Sequence, residues 1–122
     1  AEPLMPSPLM AIIIGSIGGI IVVFAVPLLD KLKIDDVVGA IPVHLLAGIW
    51  GTLAVPLTNP DITFGSQILG IVSVGVFVSA VSAILWYVMK MTIGIRVTPE
   101  AELMGLDRSE LGMDAYPEFT KQ

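Results

Sequence analysis

His44 is the only histidine in the chain, and its imidazole is the side chain best suited to chemistry in an apolar setting. It lies in an apolar stretch that begins at Val37. In a helix, His44 would stand about 10 Å along the axis from Val37. A neutral imidazole offers one hydrogen-bond donor and one acceptor, which suits it to passing a proton or a small polar solute. Ionisable groups at this depth usually face a bundle interior or an aqueous path. The open alternative is a buried histidine satisfied by an interhelical hydrogen bond.

The residues that share a helix face with His44 are small. Ala40, Gly48 and Thr52 stand at four-residue spacing from it, so the pattern predicts a groove with room for a partner side chain or a solute. Pro42, two residues earlier, has no N–H and therefore disturbs the helix just before the histidine.

Two adjacent carboxylates, Asp35 and Asp36, precede the same apolar stretch. They could attract a cation as a pair. The simpler interpretation, which we favour, is a structural one: a helix N-cap together with local pairing to Lys31 or Lys33. The chain has no cysteine and no second histidine, so we predict no metal site and no cofactor. No nucleophile has a base beside it and no phosphate-binding loop is present, so nothing indicates an enzyme.

These residues must be positioned by membrane helices, because charge is scarce and unevenly placed. Only 14% of the residues are charged, against about 25% in an average soluble domain. None is charged in Leu4–Leu29, and only Asp61 is charged in Val37–Met89. A bilayer core needs about 20 apolar residues per helix. The sequence therefore predicts an all-α, polytopic membrane protein. The transmembrane region is 1–95, with spans at about 9–29, 37–57 and 64–95.

The basic residues predict the direction of the spans. Lys31 and Lys33 lie between the first two spans, and Lys90 and Arg96 lie at the end of the third. By the positive-inside rule, the first link and the tail 96–122 are cytoplasmic, and the N-terminus of the segment is outside. The net charge of −5 comes without a basic patch, which argues against a nucleic-acid partner.

Two stretches resemble the ammonium transporter (Amt/MEP/Rh) family. The first is IDDVVGAIPVHLLAGIWG, residues 34–51, with its paired acidic start and its Val-His. The second runs from GIRV, residues 94–97, through Glu100 and Glu102 to the tail motif, which comprises Gly105-Leu106-Asp107, Ser109-Glu110, Gly112 and Ala115-Tyr116-Pro117. The likeness covers essentially the whole chain.

This resemblance implies the last three helices of an eleven-helix subunit, which associates as a homotrimer with one pore in each subunit. It places His44 on the second of the family's paired pore histidines, so the first lies on a helix outside this chain. It also implies that the tail is a cytoplasmic regulatory segment able to meet a PII-type signalling protein. The tail residues assigned this regulatory role are Gly105, Leu106, Asp107, Glu110, Gly112 and Tyr116.

The function implied is conduction of ammonium or ammonia across the cytoplasmic membrane for nitrogen uptake, with the lipid bilayer and the remaining helices of the subunit as partners. Two alternatives stay open. One is an ammonium sensor that signals through its cytoplasmic tail, and the other is an accessory structural membrane subunit. The opening residues 1–3 have the composition of a loop interior, which predicts a piece of a longer polypeptide.

Overall fold

The structure is a computed structural model of the chain, and it describes residue 2 and residues 4–119. Ala1 and Pro3, in the predicted transmembrane region, and residues 120–122, in the predicted tail, lie outside the described residues. All regular secondary structure in the described part is helical, which confirms the predicted all-α class. The chain divides into two compact units, residues 1–79 and 80–122.

The first helix, α1, runs from Pro8 to Lys31. Its start is set by Ser7, whose hydroxyl accepts a hydrogen bond from the Met10 N–H at 3.3 Å, and by Pro8, whose fixed φ suits a first helical position. Beyond its end, Lys33 adopts a left-handed φ of 58°, which turns the chain out of the helix. Pro27 lies inside α1 without ending it.

The second helical stretch, which we call the segmented helix, covers Ile41–Leu57. It consists of a π-helical turn at Ile41–Leu46, then α2 at Ala47–Ala54, then a 3₁₀ turn at Val55–Leu57. The sequence pattern placed this helix at 37–57, but residues 37–39 form a turn. Gly39 has a φ of +70° and donates to the Asp36 carbonyl at 3.1 Å, so the helix starts after it.

Helix α1 packs against the segmented helix within the first unit. The buried residues of this pair are Ala25 from α1 and Pro42, Ala54 and Val55 from the segmented helix. The Trp50 indole N–H donates to the Ile14 carbonyl at 2.9 Å. An indole N–H in apolar surroundings needs such a partner, so this bond fixes the two helices to each other.

The third long helix, α3, runs from Phe64 to Thr92. Thr63 precedes it, and its hydroxyl accepts from the Ser66 N–H at 3.2 Å. The helix ends three residues before the predicted limit at 95, because Gly94 takes a positive φ of 74°. No residue of α3 is buried. Helices α1 and α3 are each long and apolar enough to cross a membrane, whereas the segmented helix is shorter.

The tail contains two short helices, α4 at Pro99–Met104 and α5 at Leu106–Leu111, followed by a 3₁₀ turn at Pro117–Phe119. The Thr98 hydroxyl caps α4 by accepting from the Ala101 N–H at 3.2 Å. Gly105, with a φ of 95°, separates the two helices, and Gly112, with a φ of 67°, ends α5. The tail is therefore folded locally.

Candidate functional site

Asp36 occupies the start of the segmented helix and uses both of its carboxylate oxygens there. One oxygen accepts from the Ala40 N–H at 2.8 Å and the other from the Ile41 N–H at 2.7 Å. A carboxylate at this position satisfies donors that have no partner within the helix and also faces the positive end of the helix dipole. Asp36 thus caps the first turn of the segmented helix.

Asp35, by contrast, is exposed and makes no side-chain hydrogen bond among the described residues. Neither Asp35 nor Asp36 forms a salt bridge with Lys31 or Lys33 within the described part of the chain. The two carboxylates instead share an open pocket of about 450 Å³ with Asp30 of α1. The structure therefore gives the neighbouring acidic residues different surroundings, with one anchored to the helix and the other facing solvent.

His44 lies within the π-helical turn Ile41–Leu46, which is a rare conformation that often occurs at functional sites. The turn is wide enough that the Ala47 N–H donates to the Pro42 carbonyl, five residues back. Pro42 is almost completely buried, whereas His44, two residues on, is exposed. No hydrogen bond to the imidazole is present among the described residues, so this face is open to another partner.

The small residues predicted beside His44 leave that face uncrowded. A Cβ added at Gly48 would have no neighbour within 4 Å. The Thr52 hydroxyl does not project into the space, because it donates back to the Gly48 carbonyl at 3.0 Å. Ala40 is exposed at the start of the helix. Within this chain, His44 therefore stands on an accessible strip without bulky side chains at these three positions.

Hydrogen bonds and a salt bridge link part of the tail that contains the residues with a predicted regulatory role. The Asp107 carboxylate accepts from the Ala115 N–H at 2.8 Å, and this backbone hydrogen bond is the main reason that the Asp107 pKa is lowered. Arg108 forms a salt bridge with Asp114, which raises the pKa of the guanidinium. These bonds fold residues 107–115 into a compact turn.

The other predicted tail residues frame this turn. Gly105 precedes the turn with a positive φ of 95°, and Gly112 within it adopts the left-handed conformation with a φ of 67°. A Cβ at Gly105 would approach an Asp107 carboxylate oxygen to 2.7 Å, so a side chain there would push that carboxylate aside. Leu106 and Glu110 are exposed on α5, and Tyr116 is exposed beyond it.

Sequence reasoning missed several structural contributors. From the sequence, mid-span Trp50 is expected to pack in the core or, less favoured, to line a cavity, whereas in the structure its indole N–H is a specific link to α1. Thr98 and Asp114 had no assigned role, although they cap α4 and pair with Arg108. The signal for Trp50 was available, because a mid-span indole N–H requires an acceptor. No group of three or more metal-ligating side chains occurs among the described residues.

Comparison with known proteins supplies an independent finding. The family model described as the Ammonium Transporter Family matches residues 4–116. An ammonium transporter of Archaeoglobus fulgidus is 35% identical over 132 residues, and one of Methanocaldococcus jannaschii is 36% identical over 122 residues. These matches cover 92% and 93% of this chain.

A relative from Synechocystis sp. is 43% identical over 104 residues, covering 84% of this chain. In each of these three cases the chain corresponds to only part of the relative. It spans 24% of the Synechocystis protein, 28% of the Archaeoglobus protein and 29% of the Methanocaldococcus protein.

Proposed function

Because the chain belongs to the ammonium transporter family and corresponds to its C-terminal portion, we propose that it forms part of a channel conducting ammonium or ammonia across the cytoplasmic membrane for nitrogen uptake. In this proposal His44 lines the pore and the tail from Arg96 onwards is regulatory. The family is one of transport proteins, so the assigned activity is movement of a solute and not catalysis.

The observation that carries the proposal is the contrast between the two faces of the segmented helix. Pro42 and Ala54 are buried against α1, while His44 is exposed on a strip of small residues. An imidazole facing a largely apolar path can exchange hydrogen bonds with a small solute. A charged ion in such a path is strongly penalised, so ammonium must lose its proton or be compensated on the way.

The proposal requires the rest of the subunit. We expect the remaining helices of an eleven-helix subunit to cover the His44 face, and the subunits to associate as a homotrimer. No residue of α3 is buried, which is consistent with a helix that meets lipid or other helices. In this arrangement the link Leu32–Gly39 and the tail are cytoplasmic, and the residues before α1 face the outside.

A substitution at His44 tests the proposal in the full-length protein. Loss of one hydrogen bond to the solute, worth about 1–2 kcal/mol in a membrane, predicts roughly a tenfold change in rate or selectivity for His44→Ala. The measurement is uptake of labelled methylammonium, with competition by ammonium and by potassium. The matched control is Val43→Ala, which removes an exposed apolar neighbour of the same turn. If His44→Ala matched the control in both rate and selectivity, the pore role of His44 would be wrong.

A sensor function is the second candidate, and the folded tail is what favours it. The Asp107–Ala115 and Arg108–Asp114 bonds give the tail a defined shape that a signalling protein could recognise. A PII-type partner would suit this surface. In a sensor the tail would carry the output, whereas in a transporter it would adjust a flux that continues without it.

A further inference from the structure

Three residues of the segmented helix lie on the side that packs against α1, namely Pro42, Trp50 and Ala54. Pro42 shares a small pocket with Val26 and Leu29 of α1. Trp50 donates to the Ile14 carbonyl and lies 3.6 Å from the position of a Cβ on Gly18.

The third residue, Ala54, is buried and lines a pocket together with Ala11, Ile14 and Gly15. From Pro42 to Ala54, the segmented helix therefore lies first beside the C-terminal end of α1, then beside its middle, and then beside its N-terminal end. One continuous face must point at α1 along the whole antiparallel pair.

In a regular α-helix these three residues would spread over a face about 120° wide. At about 100° per residue, Trp50 would point about 80° away from Pro42, and Ala54 about 120° away. A π turn holds one residue more than an α turn, so the rotation between residues on either side of it is about 100° smaller than in an α-helix. Trp50 and Ala54 then both fall within about 20° of Pro42. The π turn at Ile41–Leu46 therefore narrows the α1-facing strip from about 120° to about 40°.

We propose that the π-helical turn Ile41–Leu46 is a register-setting element that holds Pro42, Trp50 and Ala54 on one narrow strip against α1, opposite His44. Pro42 is its positioning residue. His44 follows Pro42 by two residues. The rotation about the helix axis from Pro42 to His44 is roughly 170° in the widened turn, against about 200° in an α-helix. The assignment of a solute-facing role to that direction rests on the function proposed above.

The N–H groups that precede His44 in the segmented helix have partners outside the π turn. The N–H groups of Ala40 and Ile41 both bond the Asp36 carboxylate, and Pro42 has no N–H. The next donor, Val43, bonds the Gly39 carbonyl at 3.0 Å. Every early donor is therefore satisfied locally, and the wide turn can follow without leaving an orphan group.

Deletion of single residues tests this inference in the full-length protein. Deleting Leu45 removes the extra residue of the π turn, so the helix becomes α while Pro42, Trp50 and Ala54 all keep facing α1. Deleting Leu53 is the matched control, since it shortens the helix equally but rotates Ala54 and Val55 by about 100°. We expect the Leu45 deletion to keep the thermal stability and assembly of the parent, and the Leu53 deletion to lose both. Equal loss in the two variants would overturn the register assignment.

Uptake tests the positioning role separately. The Leu45 deletion turns His44 by roughly 30°, and a misplaced group of this kind predicts a fall of at least about tenfold in saturating methylammonium uptake. Adding His44→Ala to the deletion should lower uptake no further. An assembled Leu45 deletion that transports like the parent would overturn the positioning role of the turn. If His44→Ala alone had no effect, the proposed pore function would fail, yet the assembly comparison would still decide the register.

Discussion

At the scale of single residues, Pro42 and His44 show that two residues of one helical turn can lie on opposite surfaces. They stand two positions apart, yet Pro42 is fully buried and His44 is exposed. The sequence identified both residues and the disturbance that Pro42 causes. It could not identify the π turn, because a one-residue widening leaves no mark in hydrophobic spacing when the whole stretch is apolar.

The glycines of α1 show a similar limit. Gly15 and Gly19 stand one turn apart in the sequence, a spacing of small residues that predicts close approach by another helix. In the structure Gly18 is the glycine that approaches Trp50, and Gly19 has no neighbour within 4 Å. Spacing alone could not choose between adjacent glycines, because the choice depends on where the indole of the other helix lands.

Trp50 offers a prediction at this scale. In the full-length protein, Trp50→Phe keeps an aromatic ring but removes the hydrogen bond to Ile14, so we expect a loss of about 0.5–1.5 kcal/mol in stability. The measurement is the thermal unfolding midpoint in detergent. Trp86→Phe is the control, because Trp86 is 58% exposed on α3. Equal shifts for the two variants would contradict a specific Trp50 link between the helices.

At the scale of elements, the long helices were the most predictable features. Apolar length and the Pro8 start indicated α1 within a residue or two, and the start of α3 at Phe64 was also anticipated. The start of the segmented helix was placed too early. Residues Val37 and Val38 are apolar, so they extended the pattern, but Gly39 and Pro42 decide the backbone there.

The tail is an element whose fold depends on charge, and its pH dependence can be stated. The Asp107 pKa is lowered in the folded turn, so its contribution is complete above the ordinary value of 3.8 and is lost only as pH falls through the lowered value. The turn should therefore keep its shape throughout the neutral range. It is suited to presenting a constant surface, and not to sensing physiological pH.

Removing the tail separates the two candidate functions at this scale. Deletion of residues 96–122 from the full-length protein should leave appreciable methylammonium uptake in a transporter, and Asp107→Asn should alter only the regulation of that uptake. In a sensor, the deletion would abolish the downstream nitrogen response at unchanged ammonium binding. The measurement is uptake beside a transcriptional readout in the same cells. Glu118→Gln is the control, since Glu118 is exposed in the 3₁₀ turn outside residues 107–115 and has no assigned regulatory role.

At the scale of the whole molecule, the described residues hold very little core. Among the apolar side chains, only those of Ala25, Ala54 and Val55 are buried, apart from Pro42. A soluble domain of this length would bury far more of its apolar surface. The exposed apolar surface fits our proposal that lipid and other helices cover this segment.

The direction of the chain across the membrane gives the last prediction. Lys31 and Lys33 lie in the link between α1 and the segmented helix, whereas the loop 58–63 has no Lys or Arg. The positive-inside rule therefore predicts that the loop is outside and the tail inside. Because the chain has no cysteine, single cysteines can report this directly. A membrane-impermeant maleimide should label Asp61→Cys in intact cells, and should label Ser109→Cys only after permeabilisation. Both positions are exposed.

Leu32→Cys adds a third labelling position, in the link between α1 and the segmented helix. Like Ser109→Cys, it should be labelled only after permeabilisation. Leu32 is 60% exposed, so a lack of labelling in intact cells would not result from burial within this chain. The unsubstituted full-length protein measures background labelling. Labelling of Leu32→Cys and Ser109→Cys but not Asp61→Cys in intact cells would reverse the orientation. That outcome would place the folded tail outside and remove the basis for a cytoplasmic signalling partner.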